Sequence, residues 1–235
     1  FTQDKRFEPY MFHIREIGGA NYLQMSYAGT SVCWFSVNEE GIHLVDQFTK
    51  EPMELEEPAS IGFRGKERLG SARGYIWSRT LPLIKERPLL GYGPDAFAFA
   101  FPQNDLLGKW YAYRTPNMTV DKPHNLYLQI AVNQGLIALV AFLVLVGAYI
   151  INAIKVYAFR KDYSSKEIVG IAVFLSVIGY LGAGIFNDSI VSVAPIFWVL
   201  LGTGMGMNYI VQKEQKSVRQ KIEHATINMK NRKHI

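Results

Sequence analysis

The sequence predicts a mainly α-helical, polytopic membrane protein with a small β-rich region outside the bilayer. Three observations predict it. First, stretches 136–154, 168–186 and 194–211 are apolar and hold no Lys, Arg, Asp or Glu. A helix crossing a ~30 Å hydrocarbon core needs about 20 such residues, and a soluble core helix of that length carries a charged face. Second, basic residues gather beside these stretches on one side only. Third, residues 21–55 alternate in polarity between turn-forming dipeptides, as strands do. The mean hydropathy of +0.04 hides this division of the chain.

Charge sets the orientation. Lys155, Arg160, Lys161 and Lys166 follow the first span, and Lys213, Lys216, Arg219, Lys221, Lys230, Arg232 and Lys233 follow the third. The link 187–193 holds Asp188 and no basic residue. By the positive-inside rule the first connection and the tail 212–235 are cytoplasmic, and residues 1–135 face outward. Residues 1–134 carry 14 basic and 15 acidic side chains, whereas 155–167 and 212–235 together carry 11 basic and 4 acidic. The pI of 9.2 therefore comes from flanks beside anionic lipid and gives no ground for a nucleic-acid partner. The one cysteine, Cys33, excludes an internal disulfide framework, and no Cys/His spacing suits zinc, so no metal or cofactor is expected. The chain opens without Met or a signal peptide, which leads us to expect a preceding membrane portion and an isolated chain that is inactive alone.

In the outward half, residues 22–27, 31–37 and 42–48 read as strands, with Asn38-Glu39-Glu40-Gly41 as a hairpin turn. We take 1–60 as a β-rich region and its acidic end, 51–60, as a solvated connector. Residues 61–135 form a large loop with short helices. One starts near Gly70, with Ser71 as N-cap, and presents Ile76, Trp77, Thr80, Leu83 and Ile84 on one face. Pro82 kinks or ends it. Arg73 lies beside the apolar face, while Arg79 and Arg87 read as exposed. Residues 88–94 make a tight turn, 95–101 a short helix, and 102–122 an irregular aromatic and polar stretch suited to a bilayer interface.

Pro123 suits the first turn of the next helix, with His124, Tyr127 and Leu128 on one side of it. Asn133-Gln134-Gly135 should bend that helix before the first span. His124 then sits at an outward helix N-terminus, where the helix dipole opposes an added positive charge and a neutral imidazole can accept a proton. The bland alternatives are a histidine bonded to a loop carbonyl, and an Arg73 that stacks on Trp77.

Arg73-x-x-x-Trp77, then Arg87-Pro88-Leu89-Leu90-Gly91-Tyr92-Gly93-Pro94, then Pro123-His124-Asn125-x-Tyr127-Leu128 before a span resembles the O-antigen ligase and polymerase superfamily. The later FNDSIVSVAPIFWVLLG of residues 186–202 is similar to it too. The likeness covers about residues 65–205, and the β-rich region falls outside the pattern as an added module. It implies an inverting C-type glycosyltransferase working without a metal ion in the bacterial cytoplasmic (inner) membrane. Its donor would be a glycan on undecaprenyl pyrophosphate and its acceptor a glycan, a lipid or a protein. The resemblance carries Arg73 to the pyrophosphate and His124 to the acceptor hydroxyl. It makes Asn125, Tyr127, Trp77, Arg79 and Arg87 substrate-contacting or supporting residues, and 95–122 a lid over the lipid-borne substrate. Arginine suits the first task because its planar fork pairs bidentately with phosphate and keeps its charge.

Two other classes compete. In a membrane-anchored sensor, residues 1–122 would bind a ligand, but such a module has no need of Arg73 and His124 at these positions. A transporter usually carries ionisable groups inside its spans, and these spans have none.

Overall fold

A computed structural model describes residues 8–53, 57–158, 160 and 162–232, with side chains as far as 225. Residues 54–56 of the acidic connector, Lys161 and the last basic residues of the tail lie outside the described residues or side chains. The chain divides into two compact units, Phe1–Pro123 and His124–Ile235.

The first unit opens with a four-stranded antiparallel meander in the order β1 (Tyr10–Ile17), β2 (Ala20–Tyr27), β3 (Thr30–Asn38) and β4 (Gly41–Val45). Ile17 pairs with Ala20, Tyr27 with Thr30 and Asn38 with Gly41, so each hairpin turns on two residues. In the first two hairpins the two central residues take positive φ, which Gly18, Gly19, Ala28 and Gly29 supply. In the third hairpin the Asn38 side-chain oxygen accepts the N–H groups of Glu40 and Gly41. The three expected strands are present, but the last ends at Val45 rather than at residue 48, where a turn capped by Asp46 begins. Strand β1 was not expected, although Gly18-Gly19 is a sequence signal for its hairpin.

Helix α1 (Leu69–Glu86) forms the core of the rest of this unit. Ile76, Thr80, Leu83 and Ile84 are buried as the spacing predicts, and Tyr75 joins them with no exposed surface. Gly74 is required for close approach, because a Cβ there would lie 2.2 Å from the Lys66 carbonyl oxygen. Ser71 does not cap the helix. Gly70, Ser71 and Ala72 all adopt left-handed backbone, with φ of 59°, 61° and 67°. Pro82 neither ends the helix nor leaves its lost hydrogen bond unfilled. The Ser78 carbonyl, four residues earlier, accepts the Ile61 N–H at 2.9 Å instead.

Helix α2 (Phe97–Ala100) is the short helix expected after the turn, and it buries Phe97. Helix α3 (Leu106–Tyr113) lies where an irregular stretch was expected. Asp105 caps it by accepting the Gly108 N–H at 2.8 Å, and Arg114 ends it in left-handed backbone.

The second unit is three helices long and apolar enough to cross a membrane: α4 (Leu126–Tyr157), α5 (Ser165–Ala183) and α6 (Ala194–Arg232). Gly135 breaks α4 with φ 86° and ψ 171°, at the expected bend. Small residues let the helices approach. The Tyr149 hydroxyl would stand 2.3 Å from a Cβ at Gly204, and the Tyr157 hydroxyl 2.0 Å from one at Gly170. Helix α5 starts in a capping box between Ser164 and Glu167. It ends at Ala183 rather than at residue 186, because the next carbonyls turn toward α4. Helix α6 continues without a break from the apolar stretch into the basic tail.

Candidate functional site

His124 is the last residue before the cap of α4, and its own backbone is left-handed, with φ 49°. Pro123 therefore lies outside the helix instead of in its first turn. Asn125 is the N-cap, accepting the Leu128 N–H at 2.9 Å. A bulky residue in left-handed backbone is strained by roughly 1 kcal/mol or more, so the surroundings must impose it.

They do so by a run of bonds between the start of α4 and the segment after α5. The Leu126 N–H donates to the Gly184 carbonyl at 2.7 Å. Asn125 Nδ2 donates to the Ile185 carbonyl at 2.8 Å, and the Tyr127 hydroxyl to the Leu181 carbonyl at 2.9 Å. Gln129 Oε1 accepts the Ser189 N–H at 2.8 Å, and Ser189 Oγ lies 3.0 Å from the Tyr180 hydroxyl. Asp188, inside this clamped segment, places Oδ2 2.8 Å from His124 Nδ1. The aspartate side chain is 6% exposed and the histidine side chain 43%. A carboxylate only accepts hydrogen bonds, so in a neutral ring Nδ1 carries the proton and Nε2 keeps its lone pair. Asp188 Oδ1 is buried with no partner among the described residues. Sequence reasoning placed Asp188 only as a charge in the outer link. The one signal for it was that it is the link's sole ionisable residue.

Asn125 and Tyr127 were expected to contact substrate or to support the site. Asn125 Nδ2 and the Tyr127 hydroxyl donate to protein carbonyls, and Asn125 Oδ1 accepts the Leu128 N–H, so both hold the segment bearing His124.

In the first unit, Arg73 directly follows the left-handed residues 70–72, and its Nη1 donates to the Gly70 carbonyl at 2.7 Å. Trp77 sends its indole N–H to the Pro123 carbonyl at 2.8 Å and meets Phe63 edge to face. Arg87 is exposed as expected and lies 4.8 Å over the Tyr92 ring. Burial, with Glu86 beside it, pushes the Tyr92 phenol up to about 12. Arg79 corrects the expectation of exposure. Its side chain is 10% exposed and pairs Nε to Asp105 Oδ2 at 3.0 Å, under the Tyr75 ring. Burial and the Asp105 charge raise the Tyr75 phenol well above its ordinary value. No group of three or more His, Cys, Asp or Glu among the described residues is arranged to hold a metal ion.

The three long apolar helices make this a multi-pass membrane protein with a histidine–aspartate pair at the start of its first described membrane helix. The chain matches the family described as O-Antigen ligase over residues 22–143, just over half its length, and it belongs to that family. Membership identifies a glycosyltransferase-like enzyme of polysaccharide biosynthesis, and it implies a lipid-linked glycan donor and a membrane setting. The matched span contains β2, β3 and β4, so most of the sheet belongs to the family region rather than to an added module. It contains Arg73 and His124 and stops short of Asp188. No curated protein and no solved structure matches the chain.

Proposed function

We propose that the protein transfers a glycan from a polyprenyl-pyrophosphate carrier, undecaprenyl pyrophosphate in bacteria, to an acceptor hydroxyl at the outer face of the cytoplasmic membrane. The observation that carries this reading is the His124–Asp188 pair. A base for an acceptor hydroxyl must be held in one tautomer with its other nitrogen free, and a buried carboxylate on Nδ1 does both. The orientation rests on the basic flanks, which favour a cytoplasmic tail and hence an outward His124.

In the reaction, His124 Nε2 takes the proton of the acceptor hydroxyl as its oxygen attacks the anomeric carbon. The bond from that carbon to the pyrophosphate oxygen breaks, and the carrier leaves as the lipid pyrophosphate. Single displacement inverts the anomeric centre. Asp188 stabilises the imidazolium that forms. Arg73 is assigned to the negative charge growing on the leaving group, where a fixed cation contributes most. Asn125, Tyr127 and Gln129 act through His124 by holding its segment. Arg87 is exposed and open to substrate, whereas Arg79 belongs to the fold.

The reading is tested in membranes carrying the complete protein, supplied with lipid-linked glycan and acceptor. His124→Ala and Arg73→Ala should each lose transfer by about 10²–10⁴-fold while inserting normally. If both variants fail to insert or fold, these residues are structural and the assignment is wrong.

A further inference from the structure

The loop leaving β4 is built more firmly than a connector requires. Asp46 Oδ1 accepts the N–H groups of Phe48 and Thr49 at 2.7 and 2.8 Å. The Lys50 N–H returns to the Asp46 carbonyl at 3.0 Å, and the Asp46 N–H reaches the Glu51 carbonyl at 2.9 Å. Lys50 Nζ bonds the Gln47 carbonyl and stands 3.8 Å over the Trp34 ring. At the tip of this braced turn Phe48 is 83% exposed. An aromatic ring displayed on a rigid support loses little entropy when something covers it.

What lies beside the ring indicates what covers it. A cavity of about 200 Å³ in the first unit is lined by Phe48, Trp34, Asp46, Asn104, Lys109 and Asn117. Lys109 is 3% exposed, and its described hydrogen bonds run only to uncharged oxygens of Gln103, at 2.6 and 3.1 Å. Asn117 bonds the Ser31 carbonyl at 3.2 Å and so ties the cavity's far wall to the sheet. An aromatic face, a carboxylate, two amides and a buried ammonium form a mixed set of donors and acceptors around a small volume. Cavities that hold drug-sized molecules run to roughly 300–1,000 Å³, so this one suits a single small ring.

We propose that this cavity is a carbohydrate subsite taking one pyranose ring of the transferred glycan or its acceptor. A pyranose has an apolar C–H face, which Phe48 covers, and a rim of hydroxyls that both donate and accept. Asp46 and the amide oxygens accept from those hydroxyls, and Lys109 and the amide nitrogens donate to them. The identification of the ligand as sugar rests on the glycan-transfer reading, whereas the subsite's residues are independent of His124 and Arg73.

The test uses the complete protein in nanodiscs and, as probe, the oligosaccharide released by mild acid from the producing cell's carrier lipid. Binding is read by calorimetry and by saturation transfer to the sugar protons. Native protein should bind the oligosaccharide. Phe48→Ala should weaken binding about tenfold, as loss of one aromatic contact does, and Phe48→Trp should restore it. Phe48 is exposed, so an unchanged melting temperature separates lost binding from misfolding. Equal binding by native and Phe48→Ala protein would overturn the proposal, as would a Phe48→Ala defect in phospholipid-vesicle association with no defect in sugar binding. Should His124→Ala retain transfer while Phe48→Ala loses sugar binding, the subsite stands and the catalytic assignment falls.

Discussion

Asp188 Oδ2 lies 2.8 Å from His124 Nδ1, although the two residues stand at opposite ends of two membrane helices in the sequence. The contact joins the start of α4 to the segment after α5, and it converts a histidine beside a helix cap into one with a fixed tautomer. Asp188→Asn keeps the shape and removes the negative charge. Transfer by the complete protein should fall about 10²–10⁴-fold in this variant, the range seen when a base loses its orienting carboxylate or is itself removed. Protein levels should stay the same. Near-native transfer rates would show that the pair only braces the segment.

Arg79 and Arg87 should behave in opposite ways. Arg79→Ala leaves Asp105 buried and unpaired, and breaking such a pair costs about 3–5 kcal/mol. Arg87→Ala, on an exposed side chain, should stay within about 0.5 kcal/mol of native. Thermal unfolding of the two variants checks this. Equal melting temperatures would mean that the Arg79–Asp105 contact contributes nothing to stability.

Gly74→Ala should destabilise the first unit by about 1–3 kcal/mol, because the new methyl would press on the Lys66 carbonyl oxygen. Ala72, two residues earlier, is buried and held in left-handed backbone. Ala72→Gly should therefore be neutral or stabilising. Both are read from denaturant or thermal midpoints.

The Phe48 turn depends on a carboxylate. The Thr49 backbone N–H holds the Asp46 carboxyl below its ordinary range, with further help from Phe48 and Lys50. A carboxyl whose folded value is depressed adds stability above its unfolded value, near 3.9, and that stability is lost as pH falls through the lower folded value. Native protein should therefore melt above Asp46→Asn at neutral pH, and the gap should close as pH falls from about 5 through the lower folded value. A gap that stays constant with pH would rule out the carboxylate as its source.

The membrane helices were legible because burial in lipid demands long runs without charge, and 136–154, 168–186 and 194–211 are such runs. The bend at Gly135 and the hairpins at Ala28-Gly29 and Asn38–Gly41 were legible because glycine or asparagine is needed where φ is positive. Arg73 and His124 were reached through their motif context. Asp188, Gln129 and Ser189 were not, because only the packing of the segment after α5 against the start of α4 brings Asp188 to His124 and Ser189 to Gln129, and no local pattern encodes that meeting. Arg79 was misjudged for a related reason: its spacing on α1 reads as solvent-facing until α3, capped by Asp105, covers it. Helix α3 was missed because Gly108 weakens its propensity, while the cap that fixes it is a tight Asp105 contact that glycine alone permits.

The most direct test of the account compares native protein with His124→Ala in cells lacking any other copy, measuring lipid-linked glycan and finished polysaccharide together. The variant should reach the membrane at native levels, lipid-linked glycan should accumulate, and finished polysaccharide should disappear. Identical amounts of both species in the two strains would contradict it and remove His124 from the chemistry.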